Sequence, residues 1–110
     1  MVDLTKTLPA VLLSETKLWL RIDFDDDDLI LNSLVLSSTQ LVETRLRRAI
    51  LSRGEEKGIV DKITDVPASI KIAVLTLVAY QYENRTATDD EIRSRVMRAA
   101  GLDGFIDWSA

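Results

Sequence analysis

The stretch from Ala68 to Arg85 limits the possible folds most, because almost every side of it is apolar. At helical spacing Ile70, Ala73, Val74, Leu77 and Val78 line one face, and Ile72, Leu75, Ala79 and Tyr82 line much of another. Only Ser69, Lys71, Thr76 and Gln81 interrupt the apolar surround. A helix of this kind lies in the middle of a domain or crosses a membrane. Lys71 and Gln81 break the run short of the roughly 18 apolar residues a crossing requires. The stretch is therefore expected as the central buried helix, 67–84, of a small soluble bundle with no membrane partner.

The rest of the composition narrows the class. A chain of 110 residues fits one domain, 1–110. A hydrophobic fraction of 46% and a charged fraction of 29% are ordinary for a folded globule. There is no cysteine and no histidine, which removes disulfides, thiolate metal sites and the commonest general base and nitrogen ligand. The expectation is a protein that is not an enzyme, with no catalytic residue, cofactor or metal. A formal charge of −4 argues against a protein whose main task is gripping phosphate, although a local basic patch remains compatible. The first nine residues lack the basic start and long apolar core of a signal peptide, so the protein is expected to stay in the cell that makes it.

Taken in order, residues 1–13 have no clear period and contain Pro9, and are read as an extended arm able to pack on a neighbour. Ser14 is the expected N-cap of a short helix, 15–21, with Leu13 stapled to Leu18 and with Leu18, Trp19 and Ile22 as anchors. The acidic run that follows invites a calcium-loop reading through Asp23, Asp25 and Asp27. That reading fails where the loop needs Gly and Glu, since Asp28 and Leu34 stand there. Asp25 reads better as the cap of a long helix, 26–51, with Phe24 stapled to Leu29. The core stripe of that helix is Leu31, Leu34, Val35, Ser38, Leu41, Val42, Leu46, Ala49 and Ile50. Its end carries Arg45, Arg47, Arg48 and Arg53, where cations suit the negative end of the helix dipole. Glu43, Glu55 and Glu56 interleave with them, which favours a solvated or interface face over a DNA contact.

Residues 52–66 are read as a long loop and Pro67 as part of the first turn of the central helix. Thr88 and Glu91 form the capping box of a C-terminal helix, 89–100, with Ile92, Val96, Ala99 and Ala100 inward and Gly101 as its end. The fold class is thus all-α, a bundle of about four helices. The tail, 101–110, holds Phe105, Ile106 and Trp108, and either folds back on its own core or docks on another subunit.

Leu13 to Ile30, followed by the long helix and then Val66 to Arg85, resembles the small head-tail connector proteins of long-tailed bacteriophages, which are also labelled DNA-packaging proteins. The telling positions are Lys17, Leu20, Arg21, Ile22 and Asp23 in the first block. In the second they are Pro67, Ile70, Lys71, Ala73, Tyr82, Glu83, Asn84 and Arg85. The C-terminus departs from that pattern: relatives close on a Pro-containing segment with a Pro-Tyr-Arg-like end, and this chain has Met97 to Trp108 instead. The resemblance implies a structural virion protein, made in the host bacterial cytoplasm and placed at the head-tail junction. It would form a homo-oligomeric ring of about twelve copies beneath the portal, limited by rotational closure. Its partners would be its own copies, the portal protein and a tail or head-completion protein, with DNA passing through the bore without sequence-specific binding. Candidate interface residues are Arg45, Arg47, Arg48 and Arg53 and the tail residues Phe105, Ile106 and Trp108. The alternative is a small helical DNA-binding module or packaging-enzyme accessory using the four arginines.

Overall fold

In the computed structural model, which describes residues 2–98 and 100–108, four α-helices carry the fold: α1 (Leu13–Leu20), α2 (Asp28–Leu46), α3 (Ala68–Glu83) and α4 (Asp89–Met97). There are no named strands among the described residues, only two isolated bridges in the α2–α3 connection. The all-α bundle expected from periodicity is what forms.

The packing centres on α2 against α3. Leu31, Val35, Val42 and Leu46 of α2 meet a core that includes Ile70, Val74, Leu77 and Val78 of α3. Burying each such side chain stabilises by about 1.5–3 kcal/mol, so this pair dominates the hydrophobic stabilisation. Both α1 and α4 also pack on α3, which makes it the central helix as its sequence requires. Its burial is one-sided, however: Leu75 is buried, while Ile72 and Thr76 open to solvent. Pro67 stands just before the helix as its N-cap rather than inside the first turn.

Several helix boundaries differ from the sequence reading for identifiable reasons. Helix α1 begins at Leu13, and Ser14 is not its cap; the Leu12 N–H donates instead to Glu15 Oε1 at 3.0 Å. Leu18 and Trp19 point outward rather than anchoring this helix, whereas Ile22 packs on the core as expected, together with Leu20. Asp25 does not cap α2, because its carboxylate is held by Lys17 Nζ at 2.6 Å. No staple is buried at that corner either, since Phe24 and Leu29 are both exposed.

The long helix stops at Leu46 instead of running to residue 51. Arg47 turns into the left-handed region (φ 61°), and its N–H bonds to the Glu43 carbonyl at 2.8 Å. The Glu43 side chain then takes the Ile50 N–H at 2.8 Å, which draws the chain across the helix end. Ala49 and Ile50 are still buried as the stripe predicted, but on irregular backbone beyond the helix.

The 52–66 connection is more ordered than a plain loop. Arg53 and Glu56 exchange backbone hydrogen bonds around Gly54 (φ 56°), and Val60 returns alongside Leu51. Gly58 is required there, since a Cβ would lie 2.6 Å from the Leu51 and Ser52 backbone. A 3-10 turn, Ile63–Asp65, leads into α3.

The N-terminal arm is not extended toward a neighbour. It makes a 3-10 turn at Leu4–Lys6 and buries Ala10 and Val11 in the chain's own core. Thr88 caps α4 as expected, its Oγ1 accepting the Glu91 N–H at 3.2 Å, but Glu91 turns to the Tyr80 hydroxyl instead of completing the box. The helix ends at Met97, short of the expected residue 100, and Gly101 falls within a 3-10 segment, Ala100–Phe105. Gly101 lies so close to α3 that a Cβ would sit 2.7 Å from Ser69 Cβ. Ala99, expected on the inner face, lies outside the described residues.

Candidate functional site

Among the described residues the distinctive features are a buried charged cluster and two unlike surface ends. The buried cluster lies where α2 ends. Glu43 is 0% exposed and its two carboxylate oxygens receive Arg53 Nη1 and Nη2 at 2.7 and 2.9 Å. Thr7 Oγ1 donates to the same carboxylate at 2.8 Å, and Arg53 reaches the Asp3 carbonyl at 3.2 Å. Hydrogen bonding to Glu43 raises the pKa of Arg53 still further, so the guanidinium stays charged. One cluster thereby ties the arm, α2 and the turn after it. Arg53 is thus committed inside the subunit, at 8% exposed, and is not placed to meet a partner.

The other three arginines stay at the surface, around the C-terminal half of α2. Leu41, Arg45 and Arg47 of this region and Arg93, Val96 and Met97 of α4 line an open groove of about 500 Å³. Arg45 Nη2 pairs with Asp103 at 3.1 Å, and Arg47 stacks over the Trp108 ring at 6.0 Å. Arg48 is half-buried. The tail residues separate in the same way: Ile106 is buried and Phe105 packs on the core, while Trp108 is 69% exposed. The tail therefore folds back on its own core as far as Ile106, held by the Asp107 N–H on the Leu46 carbonyl at 2.8 Å.

At the opposite end of α2 the α1–α2 corner gathers exposed apolar and acidic residues. Leu18 and Leu29 are each 81% exposed, with Trp19 and Phe24 near half. Lys17 crosses to Asp25 and Asp28 at 2.6 and 2.9 Å and fixes the corner. Those contacts lower the Asp25 pKa and raise that of Lys17. Asp27 instead accepts the Tyr82 hydroxyl, which raises the tyrosine's pKa first by that hydrogen bond and then by desolvation. The aspartates that resemble a calcium loop are thus spread over different partners. Among the described residues no group of three or more carboxylates is placed to hold a metal ion.

Residues 11–101 match the family of phage gp6-like head-tail connector proteins. The chain belongs to that family. No curated protein and no solved structure matches it. The connector is accordingly a structural component of phage virions that works with other head and tail proteins, and its family is not a known enzyme family. None of the described helices is long and apolar enough to cross a membrane.

Leu29 and Glu43 take places that their sequence readings, a staple partner and an interleaved acid, do not assign them. Leu29 falls off the Leu31–Val35–Val42 stripe, and that displacement was the available signal. Glu43 read as one acid interleaved among arginines. Yet it adjoins Val42 and lies four residues after Thr39, both fully buried, so it sits at the edge of the core stripe.

Proposed function

We propose that the connector forms a closed homo-oligomeric ring between the portal and the tail, closing the packaged head and offering the tail its attachment surface. Family membership over residues 11–101 carries this reading. The two unlike ends of the subunit support it, because a ring needs one patch to meet a different patch on the next copy. The subunit is made in the host bacterial cytoplasm and is retained in the virion at the head-tail junction, with portal and tail or head-completion proteins as neighbours. About twelve copies follow by analogy with the portal, closure of the rotation setting the number. A net charge of −4 per subunit would make the bore repel DNA and let it slide.

Native mass measurement and negative-stain imaging over a concentration series, with and without portal, test the proposal. Rings of uniform copy number are expected; a protein that forms no ring under either condition overturns it. The alternative, a small DNA-binding or packaging-accessory module, keeps Arg45, Arg47 and Arg48 at the surface but loses Arg53 to the interior. Salt-dependent retardation of duplex DNA, abolished by charge reversal at Arg47 and Arg48, would favour that module over the ring.

A further inference from the structure

We infer that neighbouring subunits join head to tail, with the apolar, acidic α1–α2 corner of one copy seated on the arginine groove between α2 and α4 of the next. The inference rests on the self-assembly proposed above and names the surfaces that meet. Helix α2 has 19 residues. At 1.5 Å per residue its ends are about 28 Å apart, so the corner at its start and the groove near its end are separate patches. An isologous dimer would use one patch twice; two separate unlike patches build a heterologous chain.

The two patches are complementary in both respects that matter. The corner projects Leu18, Phe24 and Leu29, and the groove offers the exposed Met97 beside the partly buried Leu41. Bare apolar surface at both ends is a cost to a free subunit and a gain to a joined pair. Charge fixes the direction. Asp23 and Asp26 are exposed at the corner and make no ion pair among the described residues. On the other side, among the described residues, Arg93 is likewise exposed without one and Arg47 has only the Trp108 ring. Arg45 Nε is buried in the groove wall with no hydrogen-bond partner among the described residues. Two copies of the corner would repel each other, as would two copies of the groove, and only the mixed pairing matches opposite signs.

The test uses two variants of the full chain, checked for native helical content by circular dichroism. One carries Asp23→Arg and Asp26→Arg at the corner, and the other Arg47→Glu and Arg93→Glu at the groove. Each alone is expected to need at least ~100-fold more protein for half-assembly than the unmodified chain, since like charges then face each other. An equimolar mixture brings opposite signs together at both junctions, intact corner on intact groove and reversed corner on reversed groove, and is expected to recover assembly in which the two variants alternate. Assembly by either variant at the unmodified concentration overturns the pairing, as does a mixture that stays at single-subunit mass. An unmodified chain that remains a single subunit at millimolar concentration overturns it too. The ring is judged separately: rings formed by both variants leave it standing without this pairing, whereas open head-to-tail chains of the unmodified protein keep the pairing without the ring.

Discussion

Two of the connector's sets of ion pairs differ in almost everything but their charges. Arg53 and Glu43 meet inside, forked and joined by Thr7 and the Ile50 N–H. Lys17 meets Asp25 and Asp28 at the α1–α2 corner, where the Asp25 side chain is 87% exposed. Water screens the outer set and leaves it worth little, whereas the inner charges have been stripped of water and depend on one another. The interior cluster sets where the chain turns; the outer one positions a corner that stays available for contact.

The largest effects are expected from the interior. Leu77→Asp would place an unpaired charge in the α2–α3 core, at several kcal/mol against a total stability of about 5–15, and should leave little helical circular dichroism. A soluble, fully helical variant would show that α3 is not the centre. Glu43→Gln strands Arg53 and should cost ~3–5 kcal/mol in urea unfolding. Combining it with Arg53→Met removes the stranded charge, so the double variant should recover part of that loss. If it were the less stable of the two, the pair would not be acting as a unit.

Glu15 lies between these extremes and can be read by pH. Its carboxyl is held below the usual range, first by the Leu12 N–H and then by Lys71. A carboxyl depressed on folding contributes stability above its unfolded pKa and loses it as pH falls through the lower folded value. Glu15→Gln should therefore be less stable than the parent at neutral pH and nearly equal to it in strong acid. Urea midpoints across that range decide it, and a constant difference would rule the linkage out.

The outer region should respond in the opposite sense, with small changes in stability and large ones in assembly. Leu29→Asp is expected to shift stability within about 0.5 kcal/mol, because Leu29 is already solvated. It should nonetheless raise the concentration needed for assembly. Trp108→Ala should leave helical content intact, since Ile106 and not Trp108 seals the tail on the core. Unchanged assembly in that variant would remove Trp108 from the interface and leave the rest of the arginine groove in question only for its apolar rim.

The contrast between the regions also separates what was legible. The number, order and class of the helices could be read, because α2, α3 and α4 each repeat apolar residues at helical spacing or begin on a strong cap. Family membership was legible too, through the paired blocks from Leu13 and from Val66. Glu43 was not, since one carboxylate among arginines looks the same in a sequence whether it is solvated or buried. Nor were Leu18 and Trp19, whose apolar character said core and whose position says surface.

By itself, then, the sequence determined that Ala68 to Arg85 would be a helix at the centre of an all-α bundle, because periodicity and hydropathy are local properties of the chain. Tertiary structure decided which side of that helix stays open, that α2 stops at Leu46, and which arginines face outward. Those outcomes depend on residues far apart in sequence: Thr7, Glu43 and Arg53 must meet before the turn at Arg47 is favoured over another turn of helix. Local pattern fixes what each segment can be, and the partners a buried charge requires fix where it ends.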